Sequence, residues 1–175
     1  GGAQPRRLVT AARSTVRPRA LVELLGSAYR SRRFGGKITR GRWAELRPVV
    51  ELASERWKEP DRSIWEPRGG DQQFTYSKLM CWVAVDRGLR VARHFTLPHD
   101  ERRWVKTRRE IRAAIHERGW NPHLGAFTQK LDGDTLDASV LRMGQTRFLP
   151  DRDQRLKKAA AATDAALADG GGVWV

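Results

Sequence analysis

The sequence predicts an all-α protein of about six helices in alternating antiparallel pairs. Apolar residues recur at helical spacing in successive segments, breaks rich in Pro and Gly separate those segments, and no strand-like alternation continues beyond a few residues. The 175 residues, 39% of them hydrophobic, are enough for one domain, because single hydrophobic cores usually belong to chains of roughly 100–200 residues.

Two helices are predicted in the N-terminal part of the chain. Leucines recur at helical spacing in residues 20–33, and Gly35 and Gly36 follow them as a helix end. In the second helix apolar residues recur at steps of three and four, and Thr39 can cap its N-terminus. These residues are Trp43, Leu46, Val50, Ala53 and Trp57. Pro48 lies among them, which predicts either a kink or a late helix start.

The middle of the chain contains two longer predicted helices. Residues 75–93 are apolar almost all round in their first half, which predicts a fully buried inner helix. Asp100 then opens a helix whose inward-facing residues are Trp104, Ile111 and Ile115. Residues 119–134 form a predicted loop region, for which Phe127 and Leu131 are candidate anchors.

Two more helical segments are predicted near the C-terminus, at residues 136–143 and 151–168. In the second of these, Asp151 and Gln154 have the spacing of a capping box.

The chain is strongly basic, with 34 Lys and Arg against 20 Asp and Glu and a net charge of +14. Such an excess is compatible with nucleic-acid binding, because basic clusters release counterions from phosphate. The distribution of the basic residues argues against specific recognition of nucleic acid. In residues 102–118 they alternate with Glu110 and Glu117, as on a solvated helix face. No helix-turn-helix or zinc-finger spacing occurs in the sequence. A basic helical nucleic-acid-binding module is therefore kept only as an alternative.

Membrane, metal and cofactor sites are not expected. The longest apolar run, residues 79–85, is far shorter than the ~20 residues of a membrane-spanning helix. The chain begins at Gly1 without a charged-then-apolar leader, so we expect a cytoplasmic protein. The four histidines lack metal-ligand spacing, the single Cys81 is predicted to be a buried small hydrophobe, and residues 132–134 are better explained as a turn than as a calcium loop.

Glu66 is the residue best suited to chemistry. It lies in a loop between predicted helices, next to Trp65 and close to Arg68. A carboxyl group beside an indole face can have its pKa raised by desolvation toward the range of a general acid, and an aromatic face can also stack on a sugar ring. The alternative is a surface carboxylate paired with Arg68.

Residues 57–70 (WKEPDRSIWEPRGG) and 74–87 (FTYSKLMCWVAVDR) closely resemble bacterial glycoside hydrolase family 15, which comprises glucoamylases, glucodextranases and some trehalases. Three shorter motifs, at residues 119–121, 125–129 and 136–139, match the family in the same order. The resemblance covers about residues 20–175 and implies an α/α toroid, the six-hairpin α/α barrel, of which this chain contains about half.

The resemblance also implies the chemistry. In the family the Glu of the Ile-Trp-Glu motif, here Glu66, is the general acid of an inverting reaction. Trp65 and Arg68 match motif positions implied to line the glucose subsite. Tyr76 and Lys78 are further candidates for substrate binding, and the alternative for these two inner-helix residues is packing alone. The implied substrate is an α-glucan, as for a glucoamylase, and the alternative within the family is a trehalase acting on a disaccharide. No cofactor is implied, and no oligomeric state is predicted.

Two departures from the family lead to further expectations. The second carboxylate, the general base, is expected beyond Val175, so we expect the chain alone to be inactive. We also expect half a barrel to expose apolar inner-helix surface at residues 79–85, unless another segment covers it. Residues 1–19 are basic and match poorly, which leaves residues 20–175 as the partial barrel domain. Our hypothesis is a reading-frame slip, because codons for residues 13–19, shifted by one base, can encode Asp-Gln-Gln-Phe-Asp-Leu, close to the family motif.

Overall fold

The structure is a computed structural model of the chain, and it describes Gly26, Tyr29 and residues 36–61 and 71–168. The helix predicted at residues 20–33 falls largely outside these residues, although Gly26 and Tyr29 are both helical. The basic segment at residues 1–19 lies entirely outside them.

The described residues are mostly helical, which confirms the all-α prediction. The α-helices are α1 (Arg40–Arg56), α2 (Thr75–His94), α3 (Glu101–Arg118), α4 (Arg142–Gln145) and α5 (Gln154–Ala168). A 3₁₀ helix, Ala138–Leu141, precedes α4, and two short strands, β1 (Trp120–Asn121) and β2 (Ala126–Phe127), pair antiparallel with Trp120 opposite Phe127. None of the helices in the described part of the chain is long and apolar enough to cross a membrane.

Helix α1 begins where the cap residue predicts. The Thr39 side-chain oxygen accepts a hydrogen bond from the Arg42 N–H at 3.1 Å, as an N-cap does. The helix continues through Pro48, so the late start considered from the sequence is wrong. Its buried residues are Trp43, Leu46, Val49, Val50 and Ser54. In the last turn the buried residue is Ser54 instead of the predicted Ala53, which is half-buried, and Trp57 lies beyond the end of the helix.

The chain divides into two compact units, and each is built from two separate stretches of sequence. The first unit combines residues up to Arg56 with Met80–Arg109, and the second combines Trp57–Leu79 with the residues from Glu110 onward. Helices α2 and α3 each contribute to both units.

An indole pair forms part of the core of the first unit. The rings of Trp43 and Trp104 meet edge to face with their centroids 6.1 Å apart, and the Trp43 indole N–H donates to the Pro98 carbonyl at 2.9 Å. Asp100 caps α3 as predicted, because its carboxylate accepts the Arg103 N–H at 3.0 Å. Trp104, Ile111 and Ile115 are fully buried on α3, as the spacing predicts.

The first unit also contains a buried carboxylate among arginines. Asp86 on α2 is 1% exposed and lies 2.8 Å from the guanidinium groups of Arg87 and Arg90 and 3.2 Å from that of Arg108. Two residues after Asp86, Gly88 packs so tightly that a Cβ there would lie 2.6 Å from Cγ2 of Val50.

In the second unit a histidine of α3, His116, contacts Phe148 and, on α5, Arg155. The His116 ring stacks on Phe148 with centroids 5.0 Å apart, and its Nδ1 accepts a hydrogen bond from Arg155 at 2.8 Å. Burial, together with the positive charges of Arg155 and Arg112, lowers the pKa of His116 to about 4. At neutral pH the imidazole is therefore uncharged, as its role of acceptor requires.

Several local predictions are corrected by the structure. Helix α5 begins at Gln154, and its cap is Asp153, whose carboxylate accepts the Arg155 N–H at 2.9 Å, so the predicted capping box from Asp151 is wrong. Cys81 is half-buried rather than fully buried. The predicted loop at residues 119–134 contains the β1–β2 hairpin, and its predicted anchors Phe127 and Leu131 are buried.

The inner-helix surface at residues 79–85 is covered in the structure rather than exposed. Leu79, Trp82, Val83 and Val85 are at most 5% exposed and Met80 and Cys81 are half-buried, so other segments of the chain cover most of this part of α2. The helix is buried on nearly all sides up to Ala92, as the nearly continuous apolar composition of its first half predicts.

Candidate active site

The predicted site residues fall into two groups. Trp65, Glu66 and Arg68 lie in residues 62–70, outside the described residues, and their roles stay predictions. Tyr76 and Lys78 lie in the first turn of α2, in the second unit, and are 1% and 2% exposed.

The Lys78 ammonium group holds the chain that precedes residues 62–70. Its Nζ donates to the backbone carbonyl of Glu59 at 2.6 Å and lies 3.6 Å from Oδ2 of Asp61. A buried ammonium group is costly unless hydrogen bonds and an opposite charge compensate it, and this carbonyl and carboxylate provide both.

Asp61, which directly precedes residues 62–70, is bonded to residues that follow them in the sequence. Its other carboxylate oxygen accepts the Ser77 hydroxyl at 2.6 Å. Its backbone pairs with Gln72 in an antiparallel bridge, with N–H to carbonyl distances of 2.9 Å and 2.8 Å. In addition, the Gln73 side chain donates to the Lys58 carbonyl at 2.8 Å. Residues 58–61 and 72–78 are thus tied together by backbone and side-chain bonds.

Tyr76 is packed beside an arginine that sequence reasoning did not single out. The Arg142 guanidinium, at the start of α4, donates to the Tyr76 hydroxyl at 3.5 Å. The described contact shows Tyr76 as a buried residue with its hydroxyl hydrogen-bonded, and its proposed part in sugar binding stays a prediction.

The motif at residues 136–139 contains a buried acid with an altered pKa. Asp137 is 1% exposed, and one of its carboxylate oxygens accepts the Ser139 N–H at 2.8 Å. Burial raises the pKa of Asp137 above its usual range. Sequence reasoning noted this motif only as a family resemblance, and nothing in its composition indicates the burial.

The segment before Asp137 connects it to the start of α2. The Thr75 N–H donates to the Gln129 carbonyl at 2.9 Å, and the Gln129 N–H donates to the Thr135 carbonyl at 2.8 Å. The motif at residues 125–129 is therefore bonded to the start of α2, and Thr135, just before the motif at residues 136–139, is bonded to it in turn. Within the described residues no three His, Cys, Asp or Glu side chains gather in a way that could hold a metal ion.

Comparison with known proteins relates this chain to trehalases. It is 42% identical over 146 residues to a trehalase of Mycolicibacterium smegmatis, a match that covers 83% of this chain and 21% of the relative. It is 39% identical over 148 residues to a trehalase of Mycobacterium tuberculosis, covering 85% and 22%, and 32% identical over 121 residues to a trehalase of Thermoplasma acidophilum, covering 69% and 21%. No solved structure matches the chain.

The chain spans about a fifth of the length of these relatives. The family model described as "Glycosyl hydrolases family 15" matches residues 19–170. This match covers most of the sequence and includes both long motifs, residues 57–70 and 74–87. The chain therefore belongs to glycosyl hydrolase family 15.

Proposed function

We propose that this chain is part of the catalytic domain of an inverting glycoside hydrolase that cleaves the disaccharide α,α-trehalose, with Glu66 as its general acid. The observation that carries the choice of substrate is the set of relatives: those of 39% and 42% identity are both named trehalase. Their names favour trehalose over the α-glucan that the family resemblance alone implies.

The proposed mechanism needs two carboxyl groups. Glu66 gives its proton to the glycosidic oxygen as the bond to the anomeric carbon breaks, so that glucose leaves as a neutral alcohol. A second carboxylate, supplied by a segment outside this chain, deprotonates the attacking water, and in inverting enzymes the two groups stand ~6.5–9.5 Å apart to leave room for that water. Trp65, Arg68 and Tyr76 are proposed to line the glucose subsite, with the indole stacking on the sugar face.

The test places residues 20–175 in a complete enzyme, as a chimera in which they replace the matching part of the Mycolicibacterium smegmatis trehalase. We expect the chimera to release glucose from trehalose at least about tenfold faster than from maltose or soluble starch, with inversion at the anomeric carbon followed by NMR. Faster hydrolysis of maltose or starch would contradict the trehalose assignment.

Within the chimera, Glu66→Gln tests the general acid. The amide cannot donate a proton to the departing oxygen, so we expect kcat to fall by about 10²–10⁴-fold. The matched control is Glu117→Gln, a change of the same type at an exposed position near the end of α3, which should leave kcat within about twofold. Equal activity of the two variants would refute Glu66 as the acid.

A further inference from the structure

The buried lysine at the start of α2 is an unusual feature of the described residues. Lys78 is 2% exposed, whereas lysine is almost never fully buried unless it is paired. The next residue, Leu79, is fully buried as well, so an apolar side chain at position 78 would also suit this part of the helix. The ammonium group therefore needs an explanation beyond packing.

The contacts of Lys78 supply that explanation. Its Nζ reaches back in the sequence to Glu59 and Asp61, whose backbone and side chain are also bonded to Gln72 and Ser77. Asp61 directly precedes residues 62–70, and Gln72 lies just after them. These bonds therefore fix the chain on both sides of the segment that carries Glu66. We call this set of residues, Glu59, Asp61, Gln72, Ser77 and Lys78, the loop clamp.

General acid catalysis requires such support. A proton donor must be held within a fraction of an ångström of the oxygen that it protonates, and a small displacement can cost a large factor in rate. A side chain on a loop is held less accurately than one on a helix, unless the loop ends are anchored to a rigid element. The first turn of α2 is such an element, since Thr75, Tyr76 and Lys78 are all buried.

We propose that Lys78 is a positioning residue for Glu66, acting through the loop clamp, rather than a residue that binds sugar. This assignment rests on the proposed function, in which Glu66 is the general acid. Lys78 holds the residues that precede 62–70 by its hydrogen bond to the Glu59 carbonyl and its ion pair with Asp61, and Ser77 donates a hydrogen bond to the same carboxylate.

The first experiment uses the chain as it exists. Arg62 and Arg68 are tryptic sites within residues 62–70, called here the loop sites, and the exposed Lys157 and Lys158 on α5 are reference sites. We expect Lys78→Met to increase the cleavage rate at the loop sites, relative to the reference sites, by about tenfold or more, because local opening governs cleavage. An unchanged ratio would overturn the clamp.

Two further variants keep this experiment decisive. Lys106→Met makes the same exchange at an exposed position of α3 and should change the ratio by less than about twofold. Ser77→Ala removes the 2.6 Å hydrogen bond to Asp61 without altering charge, and it should raise the ratio of cleavage rates by about three- to tenfold. This variant still tests the clamp if Lys78→Met lowers the helical circular dichroism. No effect of Ser77→Ala in a folded chain would also count against the clamp.

The second experiment is a double-mutant cycle in the trehalase chimera. We expect Lys78→Met to lower kcat by about 10–100-fold with KM within about twofold, and Lys78→Arg, which keeps the charge and donors, to recover part of the loss. In a Glu66→Gln background the same exchange should cause no further loss, because Lys78 acts through the acid.

The outcomes separate the two proposals. If Glu66→Gln leaves kcat unchanged, the proposed function fails, whatever Lys78 does. If Glu66→Gln abolishes most activity but Lys78→Met has the same effect in both backgrounds, the acid assignment stands and the positioning role is wrong. A rise in KM with unchanged kcat would instead indicate direct sugar binding by Lys78.

Discussion

The environment of His116, on α3, predicts how the stability of the chain depends on pH. His116 accepts a hydrogen bond from Arg155 and lies near Arg112, while Asp153 is the acidic group that partly offsets these charges. Protonation would place a third positive charge beside two arginines and remove the acceptor that Arg155 uses. Replacement by glutamine keeps an acceptor oxygen at this position and removes the titration.

The magnitude follows from the pKa of His116, which falls from 6.5 to about 4 on folding. Because the unfolded chain binds this proton more readily, its contribution to stability is complete above pH 6.5 and is lost as the pH falls toward 4. At 1.36 kcal/mol per pKa unit, the loss between pH 7 and pH 4 is about 3 kcal/mol. The Arg155 hydrogen bond lowers the pKa of Asp153 to about 2, so the stability that this carboxylate contributes is lost mainly below about pH 4.

The assay is urea unfolding of the chain, followed by circular dichroism at pH 7, 6, 5 and 4, for the unaltered protein and for His116→Gln. We expect similar unfolding free energies at pH 7 and a loss about 3 kcal/mol smaller for the variant by pH 4. Carboxylates that titrate in the same range affect both proteins equally and cancel in the difference. Parallel pH profiles, or an imidazole pKa above 6 measured by NMR in the folded chain, would refute this reasoning.

Two other substitutions test the core of the first unit by chemical denaturation. Asp86→Ala should lower the unfolding free energy by about 3–5 kcal/mol, because it leaves three guanidinium groups, including that of Arg108, without their shared carboxylate. A loss of unfolding free energy below about 1 kcal/mol would show that the cluster contributes little. Gly88→Ala should lower the unfolding free energy by about 1–3 kcal/mol, because the added Cβ would lie 2.6 Å from a methyl group of Val50. If this clash is the cause, the double variant with Val50→Ala should recover part of the lost free energy.

The long helices could be predicted because their signals are local. The Thr39 and Asp100 caps lie next to the residues that they cap, and the burial of Trp104 follows from its spacing to Ile111 and Ile115 on α3. The shift of the α5 cap from Asp151 to Asp153 shows the limit of such rules, because two acids close in sequence satisfy nearly the same pattern and tertiary packing selects between them.

The features that could not be predicted depend on contacts distant in sequence. The partners of Lys78 are a backbone carbonyl and a carboxylate that precede it by almost twenty residues, and a carbonyl has no side-chain identity that a motif could reveal. The excess of arginine likewise suggested a solvated surface, yet Arg87 is buried against Asp86 and Arg103 is paired with Glu51. Side-chain type alone does not distinguish a solvated charge from a compensated one.

The interleaving of the two units determines the order in which the chain can fold. Residues of the second unit, Trp57–Leu79, separate the two stretches that build the first, so neither unit can be expressed from one continuous piece of the gene. During synthesis, α1 must wait for Met80–Arg109 to leave the ribosome before its core can close, and Trp57–Leu79 must wait for the residues after Glu110. A stalled chain whose residues up to Leu79 have left the ribosome should therefore hold α1 exposed to chaperones and proteases, whereas one whose residues through Arg109 have left it should protect α1.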